Sequence, residues 1–218
     1  LAPRDLLLTG GSVLIYDRRG DLIAARNSLF AMNAKAELIA RYDKAHLVPY
    51  GEYLPARPIL SAIGLSALVQ SDVDFVSGGG PATLRLPGFG SVGVQICYEI
   101  IFSGQVVDRR ARPDFIFNPS TDAWFGAWGP PQHLAQAQLR AIEEGLPVVR
   151  ATPTGISAVI DADGRLLSAL PLNKAGFLDT RLPPPHSATP FARGGNVIPL
   201  GLALLFATLA VALRSRRR

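Results

Sequence analysis

Seventeen consecutive uncharged residues, Val197 to Leu213, followed by Arg214-Ser215-Arg216-Arg217-Arg218, constrain this chain more than any other feature. At ~1.5 Å rise per residue a helix of that length covers roughly 25 Å, close to the lower limit for crossing a bilayer core. Pro199 falls in the first helical turn, where a missing N–H costs little. The competing reading is a buried helix of a soluble protein, but a core helix rarely ends the chain in a run of arginines, and the absence of a polar stripe at helical spacing excludes an amphipathic surface helix. The terminal arginines predict a membrane span with its C-terminus (214–218) in the cytoplasm and the residues before it on the opposite, periplasmic side.

Charge supports the separation of tail from body. The chain is 218 residues long, with 22 basic and 17 acidic residues; setting aside the four terminal arginines leaves 18 against 17. The high isoelectric point therefore belongs to the tail, and no nucleic-acid partner is expected. Apolar residues make up 48%, which suits a folded core. The opening Leu1-Ala2-Pro3-Arg4 has neither an initiator Met nor a signal-peptide layout, so the chain is expected to be the C-terminal part of something longer.

Residues 1–190 alternate strand and helix signals. Ser12–Tyr16 and Leu22–Ala25 flank Asp17-Arg18-Arg19-Gly20, and Ser157–Ile160 and Leu166–Leu170 flank Asp161-Ala162-Asp163-Gly164; both read as hairpins. Further strands are expected at Glu37–Asp43, Ser91–Ile96, Asp114–Asn118 and Pro147–Ala151. Helices are expected at Pro58–Val69, Phe102–Arg112 and Pro130–Glu144, the last closed by Gly145. Ser77–Pro81 is a glycine-rich loop without the Lys-Ser/Thr of a phosphate loop. Pro183–Pro190 reads as a linker. The mixture predicts an α+β fold with sheets covered by helices.

One cysteine, Cys97, stands at the end of the strand in GVQICYEIIF. A nucleophile at such an elbow is rigidly held and has backbone N–H groups nearby for a developing oxyanion. A thiol needs a base or a cation to become a thiolate, and a lone cysteine after a strand is more often a core residue. The segment Arg41–Pro55 (RYDKAHLVPYGEYLP) supplies Lys44 and Glu52; in isolation each also fits a solvated loop. His46, His133 and His186 are too scattered for a metal site, and no metal or other cofactor is expected. Glu143 and Glu144 read as helix-surface charges.

Taken together, Arg41–Pro55, Ile96–Phe102, Asp122–Gly126 (DAWFG) and Gln132–Ile160 with RAIEEGLPVVRATPTGISAVID resemble the nitrilase domain of the apolipoprotein N-acyltransferases, bacterial membrane enzymes of the carbon–nitrogen hydrolase superfamily. The resemblance implies an α-β-β-α sandwich over 1–190, N-terminally incomplete, followed by the span at 197–213. It implies a Glu–Lys–Cys triad. Cys97 matches the nucleophile and Lys44 the lysine that stabilises the tetrahedral intermediate. Glu52 and Glu99 match supporting acidic positions, and Trp124 a tryptophan near the acyl-binding mouth. The implied reaction is ping-pong: a phospholipid acylates the cysteine, and the thioester passes its acyl chain to the N-terminal amine of a diacylglyceryl-cysteine apolipoprotein. The implied location is the bacterial inner membrane.

The triad glutamate of that family lies well upstream of the lysine in a Pro-Glu motif. None of Asp5, Asp17, Asp21, Glu37 or Asp43 sits in such a motif, so the base is expected upstream of Leu1, and these 218 residues alone are expected to be poorly stable and inactive. Two other functions compete: an amidase or nitrilase hydrolysing small C–N bonds with the same cysteine, and a membrane-anchored remnant without activity.

Overall fold

The computed structural model describes residues 2, 4–62, 73–123 and 126–215. Two sheets carry the fold. The first has three antiparallel strands in the order β1 (Leu6–Tyr16), β2 (Leu22–Asn33), β3 (Leu38–Asp43). The second has six, in chain order: β4 (Thr83–Leu86), β5 (Gly90–Val94), β6 (Phe115–Pro119), β7 (Val148–Ala151), β8 (Ser157–Ile160) and β9 (Leu166–Leu170). Its centre, β5-β6-β7, is parallel, and the outer pairs are antiparallel.

Both predicted hairpins form, and for the same reason. Asp17 accepts backbone N–H bonds from Arg19 and Asp21, and Asp161 from Asp163 and Arg165. In each turn the following glycine, Gly20 or Gly164, takes the positive φ that other residues resist.

Two apolar clusters define the layers. Leu29, Ala31 and Tyr42 of the first sheet meet Val92, Val94 and Phe117 of the second. On the other side of the second sheet, Ile116, Val148 and Ile160 meet Ala137 and Ala141 of α2 (Gly129–Glu144). The alanines let α2 lie close on the sheet, and burial of these side chains from water is the main source of cohesion. Prolines open α2 and Gly145, with φ +63°, closes it.

The helix expected at Phe102–Arg112 does not form. Its turn comes earlier, as a 3-10 helix over Cys97–Ile101, and Gly104 with φ +73° then breaks the path. Beyond it Asp108 caps the Arg110 amide, and Arg112 reaches the Glu144 and Gly145 carbonyls. Of the helix expected at Pro58–Val69, the described part is α1 (Arg57–Ala62); its remainder lies outside the described residues.

Glu144 is not a surface charge: it is 1% exposed, and burial pushes its carboxyl above the ordinary range against the pull of Arg109, Arg112 and Arg140.

After β9 the chain is clipped back onto this body. His186 N–H bonds the Gly145 carbonyl, and Thr189 caps α3 (Pro190–Gly194) through the Ala192 N–H. Asn196 Nδ2 donates to the Ser103 carbonyl at 2.9 Å. Gly195 takes φ +55°, which favours glycine, and the end of the Arg109 side chain lies across it. α4 (Val197–Ser215) follows at once, unburied along its apolar length; Val197–Arg214 is long and apolar enough to cross a membrane.

Candidate active site

The strand β3 ends at Asp43, and the next residue, Lys44, turns inward to 2% exposure. Its backbone is held from both sides, by Lys44 N–H to the Asn27 carbonyl and by Gly78 N–H to the Lys44 carbonyl, each 2.8 Å. The glycine-rich loop is thus a brace for this strand end. A Cβ on Gly78 would lie 2.1 Å from the Asp43 carbonyl oxygen, so this backbone approach requires glycine.

Lys44 Nζ meets Glu52 Oε2 at 2.7 Å. The same oxygen accepts the Val48 amide at 2.7 Å, and Oε1 accepts Asn27 Nδ2 at 2.9 Å. Glu52 is therefore fixed by three donors, and it in turn fixes the ammonium. Burying that ammonium without a partner would be costly; the pair removes the penalty and sets its direction.

Glu99 forms the second buried carboxylate, 1% exposed. Oε1 accepts from the Tyr42 hydroxyl (2.8 Å), Ala45 N–H (2.7 Å) and His46 N–H (3.1 Å), and Oε2 from Ile96 N–H (2.7 Å). Burial pushes this carboxyl above its ordinary range, while the hydrogen bonds from Ile96, His46, Ala45 and Tyr42 pull against the shift. Burial, and then the Glu99 charge, hold the Tyr42 phenol far above its usual value, so it remains a donor. One carboxylate thereby joins the residue after Lys44 to the residue before Cys97.

Cys97 opens the 3-10 helix with φ +51°, in the left-handed region. A non-glycine residue there costs ~1–3 kcal/mol and persists where the surroundings over-determine it. The thiol is half-buried, and its hydrogen-bond partner among the described residues is the Thr121 carbonyl, 3.8 Å from Sγ. The Cys97 carbonyl points the other way, 3.0 Å from His133 Nε2 and 3.5 Å from Asn118 Nδ2.

Behind that carbonyl lies a polar cluster. His133 Nδ1 is 2.9 Å from Asp122 Oδ1, and Arg150 Nη2 donates to Asp122 Oδ2 at 2.6 Å. Arg150 also reaches Asn118, Ser120 and the Ile156 carbonyl. Burial would raise the Asp122 carboxyl, but its bonds to His133 and Arg150 and the guanidinium charge outweigh this and hold it below its ordinary value. A cavity of about 670 Å³ opens beside the site, with Ala45 and Tyr98 on its wall, together with Leu47, Phe75 and the stacked pair His46 and Phe102.

The structure thus brings Lys44 to Glu52 and, through Glu99, to the Cys97 turn. Trp124 and Phe125 lie outside the described residues. Sequence reasoning passed over Asn118 and Arg150, weighed His133 only as a metal ligand, and gave Asp122 no role. A usable signal was present: Asn118 and Arg150 interrupt otherwise apolar strands, FIFN and VVRA, and a buried polar group in such a strand needs a partner.

The carbon–nitrogen hydrolase family profile matches residues 5–186. The chain is 42% identical to an apolipoprotein N-acyltransferase of Bradyrhizobium diazoefficiens, across 100% of this chain and 40% of that protein. It is 42% identical to the one of Caulobacter vibrioides, across 98% and 41%. It thus spans about two fifths of the length of these relatives. Among solved structures it resembles an amidase from Nesterenkonia sp. AN1 (TM-score 0.54, 18% identity, 78% of this chain and 58% of that one). It also resembles Nit3 of Saccharomyces cerevisiae, a nitrilase-superfamily member (TM-score 0.54, 21% identity, 76% and 56%). By the profile match and these relatives the chain belongs to the carbon–nitrogen hydrolase family, and its two-sheet core has the nitrilase fold.

Proposed function

We propose that this chain supplies the nucleophile and the lysine of an apolipoprotein N-acyltransferase. The Cys97 thiolate attacks the ester carbonyl of a membrane phospholipid: the S–C bond forms and the C=O π pair moves onto oxygen. Collapse re-forms the carbonyl, breaks the bond to the lysophospholipid oxygen, and that oxygen takes up a proton. The free amine of a diacylglyceryl-cysteine then attacks the thioester, loses a proton and expels the thiolate. Two modest barriers replace one high one.

Lys44 stabilises the oxyanion in both halves, with Glu52 orienting it, and Glu99 keeps the Lys44 and Cys97 segments in register. Trp124 is assigned to the mouth of the acyl site. The cavity walled by Leu47, Phe75, Phe102 and Tyr98, the residue after the cysteine, is assigned to the acyl chain. α4 crosses the inner membrane, with residues 214–218 cytoplasmic and the 1–190 domain periplasmic, and so holds the site where both lipid substrates are confined. The general base is assigned to a glutamate outside these 218 residues, so the chain by itself is expected to be inactive.

The observation that carries this reading is the single Glu99 carboxylate bonded to both the Ala45 and Ile96 amides, which ties the Lys44 segment to the Cys97 turn. The test is incubation of the full-length natural protein with phospholipid bearing a labelled acyl chain, followed by mass analysis of Cys97. Label on Cys97, chased by an amine-terminal diacylglyceryl peptide, supports the reading. Turnover of small amides with no lipid-derived thioester supports an amidase instead.

A further inference from the structure

The peptide joining Cys97 to Tyr98 has two polar edges. Its carbonyl is gripped from inside by His133 Nε2 and, at longer range, by Asn118 Nδ2. The bond is trans, so the Tyr98 N–H leaves the same plane on the opposite side. Holding one edge therefore aims the other. A carbonyl can only accept, so Nε2–H is the donor to it. Nδ1 faces Asp122, Asp122 is bound by Arg150, and all three side chains are buried. Gly155 presses on this cluster so tightly that a Cβ would stand 2.2 Å from Asp122 Oδ2.

His133 is not placed as the base of the thiol. Its Nε2 meets the cysteine's carbonyl, while Sγ is turned toward Thr121. What the cluster can do is hold the left-handed backbone of Cys97.

We propose that His133, backed by Asp122 and Arg150, is a positioning residue that clamps the Cys97 carbonyl and so directs the Tyr98 N–H at the oxygen where charge develops during acyl transfer. This rests on Cys97 being the nucleophile. In that step the S–C bond forms and the carbonyl π pair moves to oxygen; His133 neither gives nor takes a proton.

Two reactions of the same sulfur separate this role from a merely structural one. Alkylation by iodoacetamide displaces iodide at a saturated carbon and creates no oxyanion. Acylation by p-nitrophenyl butyrate passes through one. Both rates are to be measured on the full-length natural protein in detergent, for wild type, His133→Leu, which keeps bulk without a donor, and His133→Gln, which keeps an amide donor. Loss of one oxyanion donor costs ~10²–10³-fold. His133→Leu is expected to lower acylation about 100-fold with alkylation within about threefold of wild type, and His133→Gln to stay within about tenfold for both. Acylation and alkylation falling together, or a leucine variant that acylates like wild type, would overturn the proposal. Should the leucine variant not fold, the glutamine variant decides: retained acylation supports the clamp, and lost acylation with normal alkylation overturns it. A wild type that reacts with the butyrate ester but never with phospholipid overturns the acyltransferase reading and leaves this comparison intact. A wild type acylated by neither overturns both.

Discussion

The Glu99 carboxylate accepts the Ala45 amide at 2.7 Å, and through that bond it ties the peptide following Lys44 to the turn that carries Cys97. Its other oxygen holds Ile96. Four donors converge on one side chain, three of them backbone amides.

Glu99→Gln puts an NH2 where one of these donors now points. A hydrogen bond to a charged group is worth ~1.5–3 kcal/mol, equivalent to ~10–100-fold in rate if the loss falls on the transition state. Acylation of Cys97 should slow by that factor in the full-length protein. Unchanged acylation kinetics would show that the staple does not set the relation of Lys44 to Cys97.

Lys44→Met leaves Glu52 buried with two neutral donors and no cation. Breaking a buried pair from one side costs ~3–5 kcal/mol, somewhat less here because Glu52 is 12% exposed. Lys44→Met with Glu52→Gln should recover most of that stability in a thermal melt and none of the acylation. Recovery of acylation in the double variant would remove Lys44 from the chemistry.

Neighbouring glycines in one loop should behave oppositely. Gly78→Ala drives a methyl into the Asp43 carbonyl, whereas a Cβ on Gly79 meets nothing within 4 Å. Gly78→Ala is expected to cost ~1–3 kcal/mol by forced displacement and to lower acylation; Gly79→Ala should leave both within error. Equal effects would mean that the loop is not a brace for Lys44.

Asp122 gives a pH signature. Its folded pKa is depressed, so the stability it contributes is full above the unfolded value of about 3.9. That contribution is lost as pH falls through the folded value. The stability gap between wild type and Asp122→Asn should be constant from neutrality to about pH 5 and shrink below about pH 4. A gap that widens on acidification would contradict the ion pair with Arg150.

Much of this was legible in the sequence because the signals were local. The Asp-x-x-Gly turns announce both hairpins, and Pro130 and Gly145 bracket α2. The apolar alternation of Val92 and Val94 gives a central strand. The failures arise where distant groups decide. Phe102–Arg112 has helical composition, but its polar groups answer to Glu144 and Gly145 more than thirty residues away. Glu144 looked solvated because Arg109 and Arg112, whose charges act on its buried carboxyl, come from a segment more than thirty residues away. Lys44 and Glu52 were visible by motif, but the reason for their alignment, Asn27 and Gly78, lies on other strands and loops. The His133–Asp122–Arg150 cluster was missed because its members lie 11 and 17 residues apart and meet only in the folded chain.

The junction at Gly195 and Asn196 carries a mechanical consequence. With Asn196 bonded to Ser103 and Arg109 lying across Gly195, two residues alone, both in contact with the domain, separate α3 from α4. On the reading that α4 stands in a bilayer, so short a connector limits how far the sulfur can stand from the lipid surface. Donor and acceptor must both climb to meet it, and lengthening the connector by a few glycines would detune the two half-reactions together.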